Sequence, residues 1–282
     1  MFNKKRLVAI LTGTLLVGSL VGCSAGGASN SGSGSSDSSK ITISGSTSVG
    51  PTMEILAEDY QKDNKGTTIE VQQVGSSAGI TNTIDGTSQI GMSSRDLKDE
   101  EKSELKEYQI AIDGIAVITN SANKVKDLTL DQVKDIYTGK ITNWKEVGGN
   151  DAEIVVVSRE DGSGTRDGFQ EIVGFESGDL TSNAQISDGS GNIKTTVQGN
   201  ENAIGYISFG YLDDSINAVK IGGVEPKEEN VYNDKYPISR PFLLVTKGEA
   251  TGDAKSFIDY ILSDAGQKTI EKQGFMSVNA KK

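Results

Sequence analysis

The chain has 282 residues and a formal net charge of -11, with 39 acidic and 28 basic side chains, 34 Gly, one Cys, one Trp and no His. Such a length fills one large or two medium domains and leaves ample core volume. Without His there is no Ser-His-Asp hydrolase or His acid-base centre, and a lone Cys builds neither a zinc site nor a disulfide framework. The acidity argues against a nucleic-acid partner, since phosphate backbones demand a basic face.

The first segment reads as an address. Lys4, Lys5 and Arg6 precede an apolar run from Leu7 to Val21 that is short for a membrane span and rich in small residues. It ends in Leu20-Val21-Gly22-Cys23, a lipobox-like string that marks Cys23 as a lipidation point. Residues 1–22 are thus expected to be a lipoprotein signal peptide. Residues 23–40 form the acylated Cys and a Ser/Gly tether too polar to bury a core. A chain beginning at Cys23 loses three positive charges and no acid, which takes the formal charge from -11 to -14.

From Ile41 onward, strand patterns alternate with helical ones. Ile41 and Ile43 open a strand, and Met53, Leu56, Ala57 and Tyr60 recur at helical spacing. Ile69 and Val71 alternate as a strand, Ile80 and Ile84 mark a short helix closed by Gly86, and residues 89–92 form a small apolar strand. Residues 99–108 read as a charged surface helix and 110–118 as a buried strand. A helix from Thr129 to Tyr137 is capped by Gly139. Strands are expected at 153–158, 203–207, 216–221 and 241–246, and helices near 165–173, 254–262 and 266–272. Residues 223–237 read as an exposed excursion, and Trp144 as a packing residue. The alternation predicts an α/β architecture with mainly parallel sheets.

Three segments share one design, a strand, a turn of small hydroxyl residues and then a helix: Ser44–Val49, Gly75–Gly79 and Ser158–Arg166. Unpaired helical N–H groups, hydroxyls and the positive end of a helix dipole suit an anion, and Gly lets it approach the backbone. Any one such turn is more often a simple N-cap; three in one chain, one of them carrying Arg159, point to a site. The guanidinium of Arg159 offers a planar fork to an oxyanion, with Asp161 or Glu160 as its carboxylate partner. Gly91–Arg95 ends a strand with two hydroxyls and Arg95, and reads equally as a solvated strand end or a ligand group. No nucleotide-binding P-loop string is present, and no carboxylate pair suggests acid-base work.

At these residues the sequence resembles the family of phosphate-binding lipoproteins of bacterial Pst-type phosphate ABC transporters. The strongest match is RxDGSGT at Arg159–Thr165, supported by SGSTSVGP from Ser44, GSSAG from Gly75, IYTGKITNW from Ile136 and AIGYIS from Ala203. The resemblance implies a two-lobed class II periplasmic-binding-protein fold, α/β, with a ligand cleft between lobes joined by two hinge crossings near Asp113–Gly114 and Arg240. Lobe I would combine 41–113 with 241–282, and lobe II would hold 114–240. Carried over by motif, the phosphate ligands are Thr47, Ser48, Ser76, Arg159, Ser163, Gly164 and Thr165, with Ser94 and Arg95 joining them and Asp161 holding the Arg. Where the family pattern has an Asp that accepts a hydrogen bond from the protonated phosphate oxygen and rejects fully deprotonated sulfate, this chain has Ser94.

The implied protein is a non-enzymatic carrier without cofactor or metal, delivering inorganic phosphate to the permease and ATPase subunits of an ABC transporter. It would be a monomer, lipid-anchored at the extracytoplasmic face of a bacterial cell membrane. The alternatives are a carrier of sulfate, molybdate or tungstate, and a surface sensor or adhesin on the same fold.

Overall fold

The computed structural model describes residues 39–279; the expected signal peptide, Cys23 and nearly all of the tether lie outside the described residues. In chain order the elements are β1 Ser39–Gly45, α1 Gly50–Asp63, β2 Thr67–Gln73, α2 Ser76–Ile84, β3 Ile90–Ser93, α3 Asp99–Lys102, β4 Leu105–Asn120, β5 Asp127–Leu128, α4 Leu130–Tyr137, β6 Val155–Arg159 and α5 Gly164–Val173. There follow β7 Gln185–Ser187, α6 Gly189–Gln198, β8 Ala203–Ser208, β9 Ile216–Ala218, β10 Lys220–Ile221, α7 Glu228–Tyr232, β11 Ser239–Lys247, α8 Gly252–Leu262, α9 Asp264–Lys272 and β12 Met276–Ser277.

The main sheet runs β2-β1-β3-β11-β4-β8-β6-β7, with β9 and β12 added to β4. Its two flanks are parallel, as the β-α alternation predicts: β1 with β2 and β3, and β6 with β7 and β8. Its centre is antiparallel, where β4 pairs with β11, β8, β9 and β12 and β11 with β3. The expectation of mainly parallel sheets therefore holds at the flanks and fails at the centre. There two long strands from distant parts of the chain meet, a pairing that local periodicity cannot reveal.

Beside a smaller cluster of Ile80, Leu97, Leu105, Leu243 and Val245, two large hydrophobic cores lie on either side of this centre. One gathers Ile41, Met53, Leu56, Phe242 and Phe257 under α1 and α8; the other gathers Val117, Tyr137, Trp144, Phe169, Ile204 and Tyr206. β4 serves both, giving Ile110 and Ala111 to the first and Ile115–Ile118 to the second. On the returning strand Phe242 and Leu244 belong to the first core, while Tyr236 and Ile238 just before it belong to the second. Met276 packs into the second core although its neighbours in α9 pack into the first, because β12 pairs with β4 at Ile112.

Two local expectations are corrected. Only Asp99–Lys102 is helical in the predicted surface helix, and the chain is extended from Leu105. The run 99–104 carries no apolar residue to anchor a helix, and from Leu105 the backbone finds partners on β11, with Lys247 opposite Leu105. The 223–237 excursion is partly interior: Val231 and Tyr236 are buried, and the Tyr236 hydroxyl donates to the Ile115 carbonyl at 2.9 Å. Trp144 packs as expected, 1% exposed, with its indole N–H on the Asn202 carbonyl at 2.9 Å. Among the described residues no helix is long and apolar enough to cross a membrane.

Candidate functional site

The hydroxyl-rich turns lie at the N-termini of α1, α2 and α5, and a fourth, at α6, joins them. In the first turn the Ser46 hydroxyl accepts from the backbone N–H of Ser48 and Val49, at 3.1 and 3.3 Å. That local bonding leaves Thr47 and Ser48 to face the other core. The Ser48 hydroxyl lies 2.9 Å from Thr165 Oγ1 and 3.2 Å from Ser190 Oγ. Ser48, Ser76, Ser94, Ser163, Thr165 and Ser190 are each at most 1% exposed.

At the second turn Gly75 adopts φ 90°, a left-handed conformation that a side chain would strain. This brings the Ser77 N–H to the Gly162 carbonyl of the third turn at 3.1 Å. The Ser76 hydroxyl accepts the Ser94 N–H at 3.1 Å and lies 3.3 Å from the Ser94 hydroxyl. Gly164 is fitted against both: a Cβ built on it would fall 2.3 Å from Ser76 Oγ and 2.8 Å from Ser94 Oγ. Ser163 is the N-cap of α5, its hydroxyl accepting the Arg166 N–H at 3.3 Å, so its side chain serves the helix first.

Arg159, 1% exposed, is delivered by the end of β6. Its backbone N–H donates to the Tyr206 hydroxyl at 3.1 Å, and Tyr206 stacks on Phe169 with ring centroids 4.0 Å apart. The guanidinium forks onto Glu160 at 2.7 and 2.6 Å, and its outer nitrogens reach Ser190 Oγ at 3.3 Å and Thr47 Oγ1 at 2.9 Å. Burial raises the Glu160 carboxyl, but the hydrogen bonds and charge of Arg159, with the Gly189 N–H, hold it below the usual carboxylate range. Asp161, expected to hold Arg159, instead accepts from Arg166 at 2.6 Å and is almost fully exposed. The carboxylate adjacent in sequence has the shorter reach to the buried fork.

Arg95 is also corrected. Each of its five N–H donors already has an acceptor: Asp167, the Asp96 carbonyl, both oxygens of Glu101, and Ser77 Oγ. No donor remains for an anion.

Three groups escaped the sequence reading as parts of the site, and a fourth was underweighted. Ser190 sits in Asp188-Gly189-Ser190-Gly191, the same small-residue pattern as the other turns, at the start of a helix whose apolar spacing is weak. The Glu160 carboxylate was weighed only as an alternative to Asp161. The Tyr211 hydroxyl donates to the Thr47 carbonyl at 2.9 Å. Arg240, expected only to mark a crossing, places Nη2 at 3.3 Å from Ser48 Oγ and Nη1 at 3.0 Å from the Ser94 carbonyl. Its Nε and Nη2 also bind Asp113 Oδ2 at 3.1 and 2.9 Å, and Asp113 Oδ1 accepts from Ser208 Oγ and the Phe209 N–H. Burial pushes Asp113 up and Arg240 down from their ordinary values, while the pairing resists both shifts. A single Asp in the apolar run of β4 and a single Arg in that of β11 were the available signal, since a lone buried charge needs a partner.

The resulting chemistry is specific. Both guanidinium groups of the cluster carry their own carboxylate, so the site has little net charge and presents hydrogen-bond donors. Because Arg240 only donates, it fixes the Ser48 oxygen as an acceptor and leaves the Ser48 O–H to donate elsewhere. Such a set replaces the hydration shell of an oxyanion. Among the described residues no group of three or more His, Cys, Asp or Glu is placed to hold a metal ion. A groove of about 590 Å³, lined by Thr47, Val74, Glu160, Ser190 and Tyr211 among others, opens onto this cluster.

Two cores joined by long shared strands, with donors from both sides meeting between them, define a two-lobed binding protein of the periplasmic type. Residues 25–265 match the PBP superfamily domain. The chain is 39% identical over 246 residues to the phosphate-binding protein PstS of Bacillus subtilis, covering 86% of this chain and 81% of that one. It is 65% identical to a substrate-binding protein of Clostridium perfringens whose crystal structure holds bound phosphate. That match has a TM-score of 0.83 and covers 85% of this chain and 99% of the other. An ABC-type phosphate transport receptor of Vibrio cholerae matches with TM-score 0.74 and 39% identity over 85% of this chain and 100% of its own. The chain belongs to the PstS family of substrate-binding proteins within the PBP superfamily.

Proposed function

We propose that this protein captures inorganic phosphate outside the cytoplasm and hands it to the permease and ATPase subunits of an ABC transporter, as a carrier rather than an enzyme. The observation that carries the reading is the meeting of Thr47 and Ser48 from one side with Arg159, Thr165 and Ser190 from the other. Lobe I takes 41–113 and 241–282, lobe II takes 114–240, and the crossings lie at the Asp113–Arg240 pair; the partition of the two cores supports this division. Ser48, Ser76, Arg159, Gly164, Thr165 and Ser190 hold the phosphate, with Thr47, Ser94 and Ser163 beside them and Arg240 orienting Ser48. Glu160 rather than Asp161 holds Arg159. The lipobox supports anchoring through Cys23 at the extracytoplasmic face of the cell membrane, with the protein acting as a monomer.

Each charge-assisted hydrogen bond contributes roughly 1.5–3 kcal/mol net. Arg159→Ala removes one such donor and leaves Glu160 as an unpaired carboxylate beside the anion. Its affinity for phosphate, measured by isothermal calorimetry, falls on the order of a hundredfold or more while the circular dichroism spectrum is retained. Unchanged affinity in this variant would refute the assigned site.

A further inference from the structure

Arg95 donates to no residue of the anion cluster, yet it is 4% exposed and fully hydrogen-bonded. Glu101 grips it bidentately at 2.7 and 2.8 Å, with the Asp96 carbonyl and Ser77 Oγ completing the grip at 2.8 and 3.3 Å. All of these partners come, like Arg95, from residues 41–113, the stretch assigned above to lobe I. The remaining donor, Nε, points the other way, to Asp167 Oδ2 at 3.0 Å. Asp167 stands in the first turn of α5, whose Phe169 and Val173 belong to the second core. It is three residues from Gly164 and two from Thr165.

We infer that Arg95 and Asp167 form a latch across the cleft that sets how long the closed protein retains its anion, with neither side chain touching the anion. Glu101 holds the guanidinium rigidly, so the latch arm is positioned before the lobes meet. Closure then brings Asp167, and with it the N-terminal turn of α5 that carries Gly164 and Thr165, against lobe I. The other contacts across the cleft, Arg159 to Thr47, Tyr211 to the Thr47 carbonyl, Ser48 to Thr165 and Ser190, and the Ser77 N–H to the Gly162 carbonyl, run through the turns that build the cluster. The latch lies apart from these groups, so it favours the closed form over the open one whichever anion is bound. Arg95 and Asp167 are positioning residues in this scheme, and the inference rests on the two-lobed capture function proposed above.

Asp167 is 31% exposed, so its pairing is partly screened and the expected effect is moderate. In Asp167→Ala, release of radiolabelled inorganic phosphate into excess unlabelled phosphate accelerates roughly three- to tenfold, with the association rate within about twofold of wild type. Asp167→Glu restores slow release. Small-angle scattering of the phosphate-free proteins gives Asp167→Ala a larger mean radius of gyration than wild type. A purely structural acid at the head of α5 would change the melting temperature and leave release unchanged. Equal release rates for wild type and Asp167→Ala overturn the latch. If the wild type retains no phosphate, the proposed function falls instead; the scattering comparison then decides the latch, and identical radii overturn it.

Discussion

In the proposed site, selectivity is expected to turn on Ser94. It is buried, 3.3 Å from the Ser76 hydroxyl and against Gly164. A hydroxyl oxygen accepts a hydrogen bond from the O–H of hydrogen phosphate without repelling sulfate, whereas a carboxylate there would do both. Ser94→Asp therefore raises the preference for phosphate over sulfate by about tenfold in competition titrations. Equal sulfate competition in both proteins would show that Ser94 does not face the anion. Two partly buried carboxylates, Glu101 and Glu160, are expected to contribute to the acid limit of the fold. Burial raises Glu101 and Glu160, but the hydrogen bonds and charges of Arg95 and Arg159 outweigh it and hold both below their usual value of 4.5. A folded value below the unfolded one gives stability that is complete above the unfolded value and is lost as pH falls through the folded value. With no His in the chain, the melting temperature of the anion-free protein is expected to be nearly flat from about pH 6 to 8 and to fall below about pH 4.5. Glu101→Gln should have a shallower acid limb; a limb as steep as wild type would discount that pair.

Helix starts build the site, and Gly164 shows how closely. Alanine at this position suits a helix better than glycine but places a methyl where Ser76 and Ser94 already stand. Gly164→Ala is expected to keep or slightly raise the anion-free melting temperature and to weaken phosphate binding at least tenfold by calorimetry, since the turn can no longer seat against α2 and β3. Wild-type affinity in this variant would mean that the turn does not close there. The same elements mark what the sequence reveals. Strand-turn-helix units with small hydroxyl residues were legible because their physics is local: caps, glycines and an apolar strand before them. Ser190 was hidden because the glycines of α6 blur its periodicity. The strand from Leu105 was misread because its stability comes from β11, some 135 residues further on. Arg95 and Asp161 were legible as charges near the site but not in their partners, because the choice between adjacent carboxylates depends on side-chain reach.

At the scale of the molecule, the acidic whole and the anion site stand opposed. The formal charge of -11 repels an anion at long range, and salt screens that field beyond about 8–10 Å. Inside the cleft the two guanidinium groups are already neutralised by Glu160 and Asp113, so affinity must come from aimed donors and from closure. Composition alone excluded His chemistry and a Cys/His zinc site and argued against a nucleic-acid partner, and the family resemblance rested on motifs spread along the whole chain. The way β4 and β11 tie the two cores together, with one buried ion pair at the crossing, emerged only from the fold. The central claim is capture of phosphate by donors from both lobes, and calorimetric titration of the purified protein with inorganic phosphate tests it most directly, with sulfate, molybdate and tungstate titrated in parallel. The account predicts saturable binding of one phosphate per chain, tighter than that of any of the other three anions. No saturation by phosphate, or tighter saturation by one of the others, would contradict it.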